Sequence, residues 1–400
     1  MKKRILIVTE YFYPRDRPDS YLLTEITKRL AKINHGNIKV ICNAELGDNK
    51  ELEFIKDKIV RLNENKLSKN GLLSRIVKFI ISTIKLGSKT FFSIEKNDRL
   101  LSVTNPAFLI VILAIFKKLK KFEYTLLVYD VFPENLVAAN ILKKDSFFYK
   151  MTKKIFDWSY RQADHLIVIG RDMEELITEK TQNSVPMSLI TNWCDVDKVI
   201  PKEKKENTII KEFELEDKIV FAFTGNFGRV QGIDTLLKMA SLVKNPKFRL
   251  LFIGKGAMLP EIKKHINENL NRNVVYAGSF PPSEQNTFLN ACDVAIISLN
   301  HSMYGLGVPS KSYYNMAAKK PLFYLGSEKS EIGRVIIENN IGWVFDDKTP
   351  KQLADEIDSI LESNLDFQDY GMRARKVVED NFSKEIVLNK YENLFSTSNK

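Results

Sequence analysis

The segment Lys218-Ile-Val-Phe-Ala-Phe-Thr-Gly-Asn-Phe-Gly-Arg-Val-Gln-Gly-Ile-Asp-Thr-Leu-Leu237 decides the fold. Its apolar run up to Phe223 reads as a buried strand, Gly225, Gly228 and Gly232 interrupt it, and Ile233 to Leu237 opens an amphipathic helix. Strand, glycine turn and helix together form the repeating unit of a parallel sheet. Outward from it, Arg249 to Ile253, Val274 to Ala277, Asp293 to Ser298, Leu322 to Leu325 and Gly342 to Phe345 read as further strands with helices between them. The first half repeats the pattern at Arg4 to Thr9, Lys39 to Asn43, Leu100 to Val103, Thr125 to Asp130, His165 to Ile169 and Met187 to Thr191, with helices over Ser20 to Lys32 and Phe147 to Arg161. The expected class is α/β, with two open parallel sheets and a cleft at the carboxyl ends of their strands.

Between the halves, residues 196–217 become rich in lysine and glutamate and lose periodicity, which marks a domain boundary. The expected division is 1–195, 196–380 and a last helix over 381–400. A chain of 400 residues, 44% hydrophobic and 28% charged, suits a two-domain globular protein. Cys42, Cys194 and Cys292 lie far apart, and His35, His165, His265 and His301 form no cluster, so neither a disulfide nor a metal is expected.

The net charge of +11 is unevenly placed. Residues 56–121 alone hold 15 basic and 4 acidic side chains. Within that window Leu72 to Phe92 reads as an amphipathic helix with Arg75, Lys78, Lys85 and Lys89 off its apolar side, and Lys117, Lys118, Lys120 and Lys121 follow. Such a pattern fits an anionic membrane surface, or else a solvated helix face, and no nucleic-acid motif accompanies it. The longest apolar run, Pro106 to Phe116, is too short to span a bilayer. Met1-Lys-Lys-Arg followed by Ile5 to Val8 reads as a first strand rather than a signal peptide, because Thr9-Glu10 ends it. A cytoplasmic protein, peripheral on the inner face of the cell membrane, is the expected setting.

Chemistry concentrates in Tyr304-Gly-Leu-Gly-Val-Pro-Ser-Lys-Ser-Tyr-Tyr-Asn-Met-Ala-Ala-Lys-Lys-Pro321. Pro309 suits the approach to a first helical turn, Ser310 is a good N-cap, and Lys311 adds a cation beside the free N–H groups. The segment either caps a helix and nothing more, or holds a phosphate from two sides. Phe252-Ile-Gly-Lys-Gly256 places a third basic residue, Lys255, in a glycine turn, after Arg229 and Lys311. Three such turns near strand ends in one domain point to a shared diphosphate.

The chain resembles the family 4 glycosyltransferases of the GT-B architecture over most of its length. The resemblance rests on Thr9 to Pro14, Tyr129-Asp-Val-Phe-Pro-Glu-Asn135, Ala163 to Val168, Thr191-Asn-Trp-Cys-Asp195, Thr224 to Gly232, Phe252 to Gly256 and Val308-Pro-Ser-Lys311. It looks most like the bacterial branch transferring N-acetyl-L-fucosamine in capsule and O-antigen assembly. The resemblance implies a retaining, metal-independent transferase without a cofactor, in which the second domain binds a UDP-sugar and the first a lipid-linked saccharide. Donor contacts are expected from Gly225, Asn226, Gly228, Arg229, Gln231, Lys255, Val308, Pro309, Ser310, Lys311 and Glu331, and catalytic roles from Asp130 and Glu134.

Several family features are replaced. The usual arginine and lysine of the glycine loop are Asn226 and Gln231, so Arg229, Lys311 and Lys255 must supply the charge. Leu306 and Tyr314 stand where relatives carry two glutamates, and Glu331 is the candidate ribose contact or else a solvent-facing first-turn residue. Lys319 occupies a usual glycine site. Asp130 is either a base or a buried capping carboxylate. A nucleotide-sugar epimerase and a non-catalytic partner subunit are the alternative readings.

Overall fold

The computed structural model describes residues 3–14, 17–43, 50–62, 72–268, 273–363 and 365–397. The chain divides into two units, the first of Met1–Thr191, Gly305–Gly307 and Val387–Lys400, the second of Asn192–Tyr304 and Val308–Ile386. The break after Thr191 places the charged run 196–217 inside the second unit, not in a linker. Its apolar residues explain why: Ile209, Ile210 and Leu215 are buried against Val220, Ala222, Leu251 and Ile253.

The first unit holds β1 (Ile5–Thr9), β2 (Ile38–Cys42), β3 (Ile59–Arg61), β4 (Arg99–Val103), β5 (Glu123–Val128), β6 (His165–Val168) and β7 (Met187–Leu189). They form one sheet in the order β3-β2-β1-β4-β5-β6-β7, and every pairing is parallel. Strands β1 and β4 are buried at every position, as continuous apolar runs covered on both faces must be. Helices α1 (Pro18–Ile33), α2 (Leu72–Ser93), α3 (Ala107–Lys120), α4 (Glu134–Ala138), α5 (Phe147–Tyr160) and α6 (Arg171–Thr181) follow in the same unit. Residues 63–71 of the basic window lie outside the described residues.

A last helix, Lys384–Thr397, closes the first sheet from its far end in sequence. The buried Arg99 guanidinium donates to the carbonyls of Leu394 (3.2 Å) and Phe395 (3.1 Å) and lies 3.9 Å over the Phe395 ring. Arg29 reaches the same helix at Asn389 (2.7 Å) and Glu392 (3.1 Å).

The second unit holds β8 (Ile219–Asn226), β9 (Phe248–Lys255), β10 (Val274–Tyr276), β11 (Val294–Ser298), β12 (Leu322–Leu325) and β13 (Gly342–Phe345). Their order, β10-β9-β8-β11-β12-β13, is that of a Rossmann sheet, and all pairings are parallel. Aromatic rings fill one side of this sheet, with Phe221, Phe223, Phe227, Phe252 and Phe323 all buried.

Candidate donor and catalytic sites

The longest pairing of the second sheet, β8 with β9, sets the candidate donor site. The register runs to Gly225 opposite Gly254 and Asn226 opposite Lys255, so Lys255 is carried to the carboxyl end of β8 by the ladder itself. The glycines there do different work. A Cβ on Gly254 would come within 1.9 Å of the Gly225 carbonyl oxygen, and one on Gly256 within 2.5 Å of the Phe227 backbone, so both are required by backbone packing. Gly225 is the reverse case: at φ +110 it needs glycine conformationally, yet nothing lies within 4 Å of its missing side chain, which leaves room for a ligand.

Beyond Gly225 the loop is tied down on both sides. Phe227 donates to the Lys255 carbonyl (2.9 Å) and accepts from Met258 N (3.0 Å), and Asn300 N donates to the Val230 carbonyl (3.1 Å). Gly232, at φ +60, is the N-cap of helix Ile233–Leu242 and offers no side chain to its first N–H groups. A Cβ on Gly228 would lie 3.1 Å from Asn226 Nδ2 and 3.9 Å from the Gln231 side chain, which groups these three residues. Gln231 Oε1 is buried with no hydrogen-bond partner among the described residues. Such an acceptor suits a hydroxyl, not a phosphate. Arg229 is exposed in the same loop.

Lys311 joins the loop by an unexpected route. Its Nζ sits 3.4 Å above the centroid of the Phe223 ring, two residues before Gly225 in β8. Part of the residue reaches the surface, but Nζ is buried and has no hydrogen-bond partner among the described residues. Burial pushes the ammonium down to about 7, and the π face of Phe223 works the other way by favouring the charged form. The helix that carries it, Lys311–Ala317, is short, and Ser310 departs from expectation: it has αR angles (φ −58, ψ −24) and its hydroxyl caps nothing. Pro309 instead shapes the entry through its carbonyl, which accepts from Ser312 N at 3.0 Å. Val308 packs against the apolar core of the same unit.

Glu331 is buried in the first turn of helix Glu331–Asn339, behind the Ser330 cap, so it is not solvent-facing. Among the replaced family positions, Leu306 is buried. Burial also raises the Tyr314 phenol. Lys319 holds φ 58, the left-handed conformation that glycine would adopt without strain.

In the first unit, Asp130 follows β5 and is held by neutral donors. Asn135 Nδ2 donates to it at 2.9 Å and Asn105 Nδ2 at 3.2 Å, while its own N–H donates to Thr104 Oγ1 at 3.0 Å. Burial raises its pKa, opposed by the two asparagine hydrogen bonds, with Asp19 adding to the rise and Arg17 reducing it. A carboxylate raised in this way accepts a proton more readily than a solvated one. Glu134 is held differently, by cations. Lys180 Nζ, whose side chain is fully buried, donates to both its oxygens (2.7 and 2.8 Å) and also pairs with Asp157 (2.6 Å). Lys153 lies 3.6 Å from Glu134 and 2.8 Å from Asp157. The expected catalytic role of Glu134 is therefore replaced by a structural one: it neutralises a buried ammonium.

A family model described as glycosyl transferases group 1 matches residues 204–377. WbjE of Pseudomonas aeruginosa, described as a probable glycosyltransferase, is 38% identical over 393 residues, covering 97% of this chain and 96% of the relative. The chain belongs to the group 1 glycosyltransferases. Solved structures share its fold at low identity. HepE of Anabaena, solved in complex with UDP, matches with a TM-score of 0.72 and 12% identity over 98% of this chain and 100% of that one. Sucrose-phosphate synthase of Thermosynechococcus elongatus matches with a TM-score of 0.75 and 14% identity over 99% of each. This glycosyltransferase thus has the GT-B fold of two Rossmann-like units. Residues assigned no site role from sequence complete the candidate sites: Phe223 seats Lys311, and Asn105 and Asn135 hold Asp130. Asn105 stands before a proline, two residues after β4, which was a usable signal; Phe223 read only as core.

Proposed function

We propose that this glycosyltransferase moves an N-acetylated deoxyhexosamine, such as N-acetyl-L-fucosamine, from UDP to a lipid-linked saccharide in capsule or O-antigen assembly. The observation that carries the donor half is the buried Lys311 ammonium, without a hydrogen-bond partner among the described residues and seated over Phe223, two residues before the open Gly225 turn. A buried cation without a partner is costly, and a diphosphate is the partner that would relieve it. UDP in the related HepE structure supports the nucleotide. The name of a relative from Staphylococcus aureus, poly(ribitol-phosphate) alpha-N-acetylglucosaminyltransferase, supports an N-acetylated sugar.

Transfer proceeds with retention and without a metal. As the bond from the anomeric carbon to the phosphate oxygen breaks, negative charge grows on the leaving UDP. Lys311, Arg229 and Lys255, with the first N–H groups of helix Ile233–Leu242, stabilise that charge. Gln231 Oε1 accepts from a donor hydroxyl, and Glu331 is the ribose contact. The acceptor hydroxyl attacks the same anomeric face and loses its proton to Asp130 or to the departing phosphate. The acceptor lipid is met at an anionic membrane surface through residues 56–121, consistent with the absence, among the described residues, of any helix long and apolar enough to cross a membrane.

The test is incubation with a panel of UDP-sugars, with and without a polyprenyl-diphosphate-linked saccharide. Transfer of label to the lipid is expected. Isomerised nucleotide sugar without transfer would favour an epimerase, and no turnover at all a non-catalytic partner. Asp130→Asn is expected to lower kcat at least about tenfold with donor affinity unchanged, and full activity would remove Asp130 from the chemistry.

A further inference from the structure

We propose that the groove between α2 and α3 takes one hydrocarbon chain of an anionic bilayer lipid. The groove is open to solvent, has a volume of about 470 Å³ and is walled by Ile84, Phe91, Phe92, Ile115 and Phe116. The helices pack tightly at Gly87, where a Cβ would lie 3.1 Å from Ile112 Cγ2. The walls stand out into solvent, with Phe92 84%, Ile84 56% and Ile115 45% exposed. An apolar surface of this kind is expensive to leave wet, and it marks an interaction site.

Charge identifies the occupant. Neither residues 72–93 nor 107–121 contain an aspartate or glutamate, while Lys85, Lys89 and Lys118 are exposed on the two helices. Lys120 is bound to the carbonyls of Phe91 and Ile94, with its ammonium 4.3 Å over the Phe91 ring, so even the end of the groove is cationic. A second copy of this face would oppose lysines to lysines. Anionic headgroups neutralise them while their chains fill the apolar slot. Helix α5, packed on α3, carries the apolar surface further through Phe147, Phe148 and Met151, which are 75%, 63% and 42% exposed.

This inference rests on the membrane-facing reading above, and its test separates the two. Ser88 borders the groove from an exposed position on α2, where its hydroxyl donates to the Ile84 carbonyl. Ser88→Phe fills the groove while adding apolar surface to the face, so simple docking and chain entry predict opposite signs. Binding to vesicles of phosphatidylglycerol and phosphatidylcholine (equal parts) is measured by sedimentation, against pure phosphatidylcholine. Wild type is expected to prefer the anionic vesicles, and Ser88→Phe to bind them at least about tenfold more weakly with unchanged melting and UDP affinity. Ile115→Trp, which fills the groove from α3, should do the same. Equal or tighter vesicle binding by both variants overturns the groove alone. Failure of wild type to bind either vesicle overturns the membrane reading with it, as does self-association through this face that anionic lipid leaves unchanged.

Discussion

Lys311→Met is expected to make the protein more stable and less able to bind donor. Moving the ammonium from its ordinary 10.5 to about 7 corresponds to a cost of about 5 kcal/mol for keeping it charged in the fold. The π face of Phe223 offsets part of that cost. Methionine has similar reach, no charge and a favourable sulfur–aromatic contact, so it should recover most of that. The sign with pH follows from linkage. Below about 7 both folded and unfolded states hold the proton and the cost is present in full; between 7 and 10.5 the unfolded state binds more protons, so wild-type stability climbs with pH. The gap between variant and wild type therefore narrows as pH rises from 7 towards 10. UDP binding moves oppositely, because a diphosphate needs the ammonium charged. Wild-type affinity should weaken by up to about tenfold for each pH unit above 7, whereas Lys311→Met starts about 100-fold weaker and stays flat. Urea unfolding and titration calorimetry with UDP at pH 7, 8 and 9 read both quantities. A variant that is less stable at pH 7, or that binds UDP as wild type does, refutes the reasoning.

Glu134→Ala should cost about 3–5 kcal/mol in thermal or urea unfolding, because Lys180 keeps only Asp157 as a close partner; adding Lys180→Met should restore much of the loss, with turnover per folded molecule unchanged throughout. Gly254→Ala drives a methyl into the Gly225 carbonyl, and it is expected to lower stability by about 3 kcal/mol or more and to weaken UDP binding, both read by melting with and without UDP.

Periodicity made most strands legible, since long buried runs such as Ile219 to Phe223 have few other uses. Strand β3 escaped because Ile59-Val-Arg61 is three residues long inside a basic stretch. The sequence showed a cation at a helix start, Lys311, but not the Phe223 ring beneath it, because residues far apart in the chain meet only through sheet order. The same holds for Glu134: its partner Lys180 lies on α6, and nothing near a Phe-Pro-Glu turn announces a buried ammonium. Ser310 has the right chemistry for a cap and the wrong backbone, since it lies inside the turn that Ser312 N closes on the Pro309 carbonyl.

Arg99 ties the middle of the first sheet to residues near the other end of the polypeptide. During synthesis β4 emerges long before Leu394 and Phe395 exist, so its guanidinium waits with Glu123 as its ionic partner while the second unit is being made. The first unit is thus finished last, although it is begun first. A fragment ending at Thr191 is expected to be a poor stand-in for it, and a co-expressed peptide carrying residues 387–397 is the natural way to complete one.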